Sequence, residues 1–156
     1  MKEEYVNSFL APAKLVWKKE LGDSLELAGA QVVSSQFTTD DLTAIIGVSG
    51  WLEGSVLYGF SEDTSLAIVR RMIGEDVADY RDEMGLSALG EIANMITGNA
   101  ATQLSQAGYP CDISPPVIVE SPGLRFTTFG GSQILVTLLS SLGPLNVRLN
   151  LNERSE

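Results

Sequence analysis

Ser87, Glu91 and Asn94 are the residues whose types and spacing could do chemistry together. They lie between Asp82 and Gly108, where Leu86, Leu89, Ile92, Ala93, Ile96, Ala100 and Leu104 recur at three- and four-residue spacings. That spacing predicts one long amphipathic helix. On a wheel of about 100° per residue with Ser87 at zero, Glu91 falls at about +40°, Asn94 at about −20° and Ile96 near 180°. The three polar side chains form a row facing away from the apolar stripe, over roughly 10 Å of helix. Gly90 lies at the edge of the row, and Gly98, at about +20°, extends it. Each glycine costs an exposed helix about 1 kcal/mol relative to alanine, a cost offset where another backbone must come close. The middle of the row also lacks the lysine or arginine that would make i,i+4 ion pairs.

The available chemistry is narrow. Asn94 has no titratable proton, so it can orient a water but cannot act as base or nucleophile. Glu91 could serve as a base, a metal ligand or an ion-pair partner. One carboxylate and one amide are a sparse ligand set for Mg2+ or Ca2+, so no metal site is expected here. A glycosidase-like pair would need two carboxylates. The chain contains no histidine, which removes Ser-His-Asp triads and His-based metal sites. Cys111 is the single cysteine, so an intramolecular disulfide is impossible and a partly buried structural thiol is expected.

The order Ser87-x-x-x-Glu91-x-x-Asn94 resembles the helix motif of the CheC/CheX/FliY family of bacterial chemotaxis phosphatases, an Asp or Ser followed by ExxN. The surrounding SALGEIANMITGNA follows the family's helix, ISPPVIV stands where the family carries a proline after it, and a GGSQILV strand comes next. With one strong motif copy in a short chain, the resemblance is to the CheX branch. It implies hydrolysis of the aspartyl phosphate of a CheY-type response regulator. An aspartyl phosphate is a reactive mixed anhydride, so positioning a water is enough, as a glutamine does in small GTPases. By that analogy Asn94 sets the water in line, Glu91 pairs with the receiver's active-site lysine, and Ser87 contacts the partner or holds Glu91. Gly90 and Gly98 let the docking surfaces meet, and Pro115 or Pro116 shapes the surface beside Asn94. The chain needs no cofactor of its own, since the receiver brings Mg2+. The alternative is a non-catalytic module that binds a receiver or serves as a flagellar-switch-like scaffold.

The elements that must hold this row can be read along the chain. Val6, Leu10, Ala13, Trp17 and Leu21 predict a first helix ending near Gly22, kinked or late-starting because of Pro12. Glu4 and Asn7 repeat ExxN there without a preceding Ser or Asp, as a chance match or a worn copy. Strands are expected over 25–37, 42–48, 54–60, 113–119, 125–129, 133–139 and 145–151, with turns at Gly50-Trp51, Gly130-Gly131 and Gly143-Pro144. A second helix begins at a Ser61 N-cap and ends before Gly74; Asp79 or Asp82 caps the long one. Asn99, at about +120°, should tie the buried flank of that helix to a loop. The pattern is that of an α+β fold, an antiparallel sheet with helices on one face, weakly duplicated, in a single domain over 1–156.

A net charge of −10 argues against nucleic acid and anionic membrane surfaces as partners, and favours a cationic protein rim. No apolar run is long enough to span a bilayer, and MKEEYVNSFLAPA lacks signal-peptide character, so a cytoplasmic location is expected. Within 145–151 neither proline nor an inward lysine blocks pairing at a sheet edge. CheX-like proteins pair as two-fold dimers through their sheets, so the resemblance implies a homodimer with its motif helices free.

Overall fold

The polar row rides on α3 (Glu83–Gln106) of a computed structural model that describes residues 3–129, 131 and 133–154. α3 starts where expected: the Asp82 side chain accepts a hydrogen bond from Gly85 N at 2.7 Å, satisfying one of the helix's unpaired amides. It ends at Gly108, whose φ of +97° suits glycine, with Tyr109 N donating to Leu104 O at 2.8 Å. Leu89, Ile92, Ala93, Ile96, Ala100 and Leu104 are all buried on its inner face.

That face lies on a seven-stranded sheet in the order β1 (Glu26–Val33), β8 (Gln133–Ser140), β9 (Gly143–Glu153), β4 (Leu52–Phe60), β3 (Leu42–Gly50), β5 (Cys111–Ile113), with β6 (Val117–Val119) also pairing β3. The central strands are β3 (Leu42–Gly50), β4 (Leu52–Phe60), β8 (Gln133–Ser140) and β9 (Gly143–Glu153). Their period-two patterning assigns the faces. Leu42, Ala44, Ile46, Val56, Tyr58, Phe60, Val136, Leu138, Leu145, Val147 and Leu149 join the helices in one core. The opposite parity, including Asn146 and Arg148, points to the other side, where Phe37 and Phe126 stack at 5.8 Å. These two phenylalanines belong to a small separate pair of strands, β2 (Gln36–Thr38) and β7 (Arg125–Thr127). The Arg148 guanidinium lies 4.5 Å from the centre of the Phe37 ring, a cation–π contact that seats this pair on the sheet.

Every ladder in the main sheet is antiparallel, as the α+β pattern implied. The C-terminal strand, which carries nothing to block pairing at an edge, does not lie at one. β9 pairs β8 on one side and β4 on the other, because strict alternation tells which face a residue takes but not which strands flank it. Among the described residues the edges are β1 (Glu26–Val33), which pairs with β8 alone, and the short β5 (Cys111–Ile113) and β6 (Val117–Val119). The run expected as one strand over 113–119 is broken by Pro115 and Pro116, which cannot donate to the ladder.

α1 (Glu3–Leu21) runs through Pro12 rather than starting late, and Tyr5, Phe9, Ala13, Val16 and Trp17 are buried along one side. α2 (Glu62–Met72) is capped by Ser61, which accepts from Thr64 N at 3.1 Å. Arg70 and Arg71 do more than complement its dipole: Arg70 Nε donates to Val77 O at 2.9 Å and Arg71 Nη1 to Leu21 O at 2.8 Å. The turn expected at Gly130-Gly131 falls partly outside the described residues.

Candidate functional site

Ser87, Glu91 and Asn94 are all exposed on the outer face of α3. Neighbours at i,i+3 and i,i+4 stand about 5–6 Å apart at Cβ, so one partner surface can meet all three. The back of the helix is fixed beneath them. The Thr97 hydroxyl donates to Ala93 O at 2.8 Å, which leaves its oxygen to accept from the Tyr58 hydroxyl at 2.7 Å. Burial pushes the Tyr58 hydroxyl above its ordinary value, so it stays a donor. This buried bond ties α3 to β4 one turn from Asn94. Sequence reasoning missed it; a threonine within the apolar stripe was the available signal.

The flank on Asn94's side is built by the proline break. Ser114 N donates to Gly47 O at 2.9 Å and Gly47 N to Ser114 Oγ at 2.8 Å, while Ser114 Oγ donates to Pro115 O at 3.0 Å. This double clasp onto β3 carries Pro116 against the motif helix. A Cβ added at Gly90 would meet Pro116 Cγ at 3.3 Å and Ile118 Cδ1 at 3.6 Å. Gly90 is therefore buried under its own chain rather than offered to a partner, contrary to its expected docking role. The wheel places a residue at an edge of the row but cannot say which loop covers that edge. Pro116, half-buried, is the proline that touches the motif helix; Pro115 is exposed. Gly98 is half-exposed, and a Cβ there would make only ordinary contact with Ile113 at 3.8 Å.

Glu91 borders an open groove of about 520 Å3 on the other flank, shared with Ser87, Ala88, Met84, Met72 and Ile73. The apolar members were not singled out from sequence, because Met72 and Ile73 come from the end of α2. The connector between the helices is held firmly. Arg81 pairs with Glu62 and Asp79, Tyr80 is buried, and the Tyr80 carbonyl occupies the space where Gly85 would carry a Cβ.

Glu4 and Asn7 do not join this row. They line a separate polar depression with Gln103 and Gln106, about twelve residues or 18 Å along α3 from Glu91, and Glu4 accepts a hydrogen bond from the Tyr109 hydroxyl at 3.1 Å. Asn99 is exposed rather than set against the buried flank. Cys111 is half-buried, and burial followed by the Asp112 charge raises its thiol above the ordinary value, the behaviour of an unreactive thiol. Among the described residues no cluster of three acidic or cysteine side chains could hold a metal ion, and no helix is long and apolar enough to cross a membrane.

The sequence profile of the family described as Chemotaxis phosphatase CheX matches residues 42–140, which include α3 and both prolines. The CheY-P phosphatase CheX of Thermotoga maritima is 33% identical over 130 residues, covering 83% of this chain and 84% of that protein. The crystal structure of the chemotaxis protein CheX from Vibrio vulnificus superposes with a TM-score of 0.85 at 28% identity, over 96% of this chain and 99% of that one. The CheX of the CheX–CheY–BeF3–Mg2+ complex from Borrelia burgdorferi shares the fold, with a TM-score of 0.81 at 24% identity over 96% and 98% of the two chains.

Proposed function

The chain belongs to the chemotaxis phosphatase CheX family, and on that premise we propose that it hydrolyses the aspartyl phosphate of a CheY-type response regulator through Glu91 and Asn94. The observation that carries this reading is the exposed Ser87–Glu91–Asn94 row on a helix whose opposite face is locked into the core. Asn94 enters the receiver's phosphorylation site and holds a water for in-line attack on phosphorus. The P–O bond to the aspartate breaks, the aspartate leaves as carboxylate, and phosphate is released. Mg2+, expected on the receiver, supplies charge neutralisation there. Glu91 pairs with a receiver lysine, Ser87 supports Glu91 or touches the partner, and Gly98 and Pro115 border the contact. Phosphate release from a receiver phosphorylated with acetyl phosphate tests the reading. Release no faster than from the receiver alone would leave a binding-only module.

In this reading residues 1–156 work as one cytoplasmic domain, and a second copy of the chain pairs along β1. Among the described residues that strand has a neighbour on one side only, and Val32 is 71% exposed and Leu27 44% exposed on it. An open edge carrying apolar side chains is a pairing surface unless blocked. α3 packs on β3, β5 and β6, toward the opposite edge and about four strand spacings or 19 Å away. Each protomer would then keep an independent receiver site. Light scattering should report a dimer that Val32→Lys dissociates; a monomeric wild type rules the pairing out.

A further inference from the structure

The groove beside Glu91 is more than a gap between helices. Ile73 is 40% exposed and Met84 64% exposed, and the half-buried Met72 lines the same groove. Exposed apolar residues scattered singly need no explanation, but two that meet a half-buried third in one depression mark a contact surface. Two of them are methionines, which adapt their shape to a partner. The groove is also continuous with the motif, because Ser87 and Glu91 form its wall. Pro116 fills the opposite flank of the helix, so this is the flank left open to a partner already seated on the row.

The shelf is preformed. Arg70 holds the connector through Val77 O, Asp82 caps α3, and the close approach of Gly85 to Tyr80 fixes where Met84 leaves the connector. Its lining also carries two carboxylates, Glu83 and Glu91, so its rim is acidic.

We propose that Met72, Ile73 and Met84 form a shelf that takes an apolar side chain of the receiver domain, flanked there by a lysine or arginine. The proposal rests on the phosphatase reading and deepens it: the shelf selects which receiver binds, while Asn94 governs how fast the bound phosphate is hydrolysed. A receiver presenting a polar or acidic residue at that point loses the apolar contact and meets the acidic rim, so discrimination works by attraction and by repulsion.

The test uses the full chain carrying Ile73→Ser and Met84→Ser, two exposed positions that leave the core intact. The receiver is the CheY-type domain that the wild-type chain dephosphorylates. Affinity is measured with that receiver loaded with Mg2+ and beryllofluoride, and the single-turnover rate with the phosphorylated form at saturation. The double variant should raise Kd by about tenfold or more while the saturating rate stays within about twofold. Unchanged Kd beside an active wild type overturns the shelf and leaves the phosphatase reading standing. A wild type that dephosphorylates no receiver overturns that reading itself. Loss of a dimer with unchanged Kd would assign the shelf to a second copy of this chain, and so also overturn it.

Discussion

Replacing Asn94 by alanine should separate the proposed catalysis from folding. Asn94 is exposed in the middle of α3, and the bonds that anchor the helix run through Asp82, Thr97 and Tyr58 instead. No packing is lost on truncation, and alanine gains roughly 0.5 kcal/mol of helix propensity over asparagine. For a chain of this size about 1 kcal/mol shifts the melting point by about 2–4 °C, so Tm should rise by about 1–2 °C. Turnover should move the other way. If Asn94 fixes the attacking water, losing that orientation costs about 100-fold in rate, equivalent to about 2.7 kcal/mol of barrier. Calorimetry and phosphate release from a phosphorylated receiver, on one preparation, read both quantities. A fall in Tm of several degrees would mean that Asn94 contributes to the fold. Turnover within about threefold of wild type would remove it from the mechanism.

Glu91→Ala should weaken binding to a beryllofluoride-loaded receiver by about 2–5 kcal/mol, the cost of stranding a desolvated lysine; unchanged affinity with lost turnover would give Glu91 a direct chemical role. Gly85→Ala drives a methyl into the Tyr80 carbonyl and should destabilise by about 2–3 kcal/mol, lowering Tm by roughly 5–10 °C; an unchanged Tm would show that the connector yields freely. Burial raises the Asp40 carboxyl above its ordinary 3.8, against the opposing pull of the Asn146 hydrogen bond and the Arg148 cation. The folded chain therefore takes up that proton first, and between 3.8 and the raised value acidification favours folding through Asp40. Urea denaturation across that window should show stability falling less steeply with acid in wild type than in Asp40→Asn; the reverse order would show that pairing with Arg148 outweighs burial.

The motif helix was legible because its signals are local. A stripe of period near 3.6, an Asp82 cap and a Gly108 stop all report on neighbours within one turn. β9 is legible to the same extent: its alternation puts Leu145, Val147 and Leu149 on one face, and all three are buried. What local pattern cannot carry is the identity of the neighbours. β9 sits inside the sheet, β1 at its edge, and nothing within either stretch encodes that order. The same limit explains Gly90. Its position beside the row followed from the wheel, but the residue facing it, Pro116, lies 26 positions downstream and arrives through the Ser114–Gly47 clasp. The Met72–Ile73–Met84 groove is likewise an encounter of two elements joined by a folded connector.

The form of the site constrains what can be its substrate. Ser87, Glu91 and Asn94 stand on the outer face of a helix, with an open groove on one flank and Pro116 on the other. A small molecule held there would remain in bulk water, where a single amide gains little by orienting one water among many. Electrostatic positioning becomes effective where water is excluded and the charges are already arranged. The missing walls must therefore come with the substrate, as they would with a receiver domain that carries the phosphoryl group on its own aspartate. A ridge that enters such a cleft needs only a short reach, a rigid base and few groups. The Tyr58–Thr97 bond and the buried stripe supply the base, and Asn94 is the group we propose for it. On this argument specificity falls to the surfaces around the ridge, so residues such as Met84 should govern which receiver is chosen without altering the hydrolysis that follows.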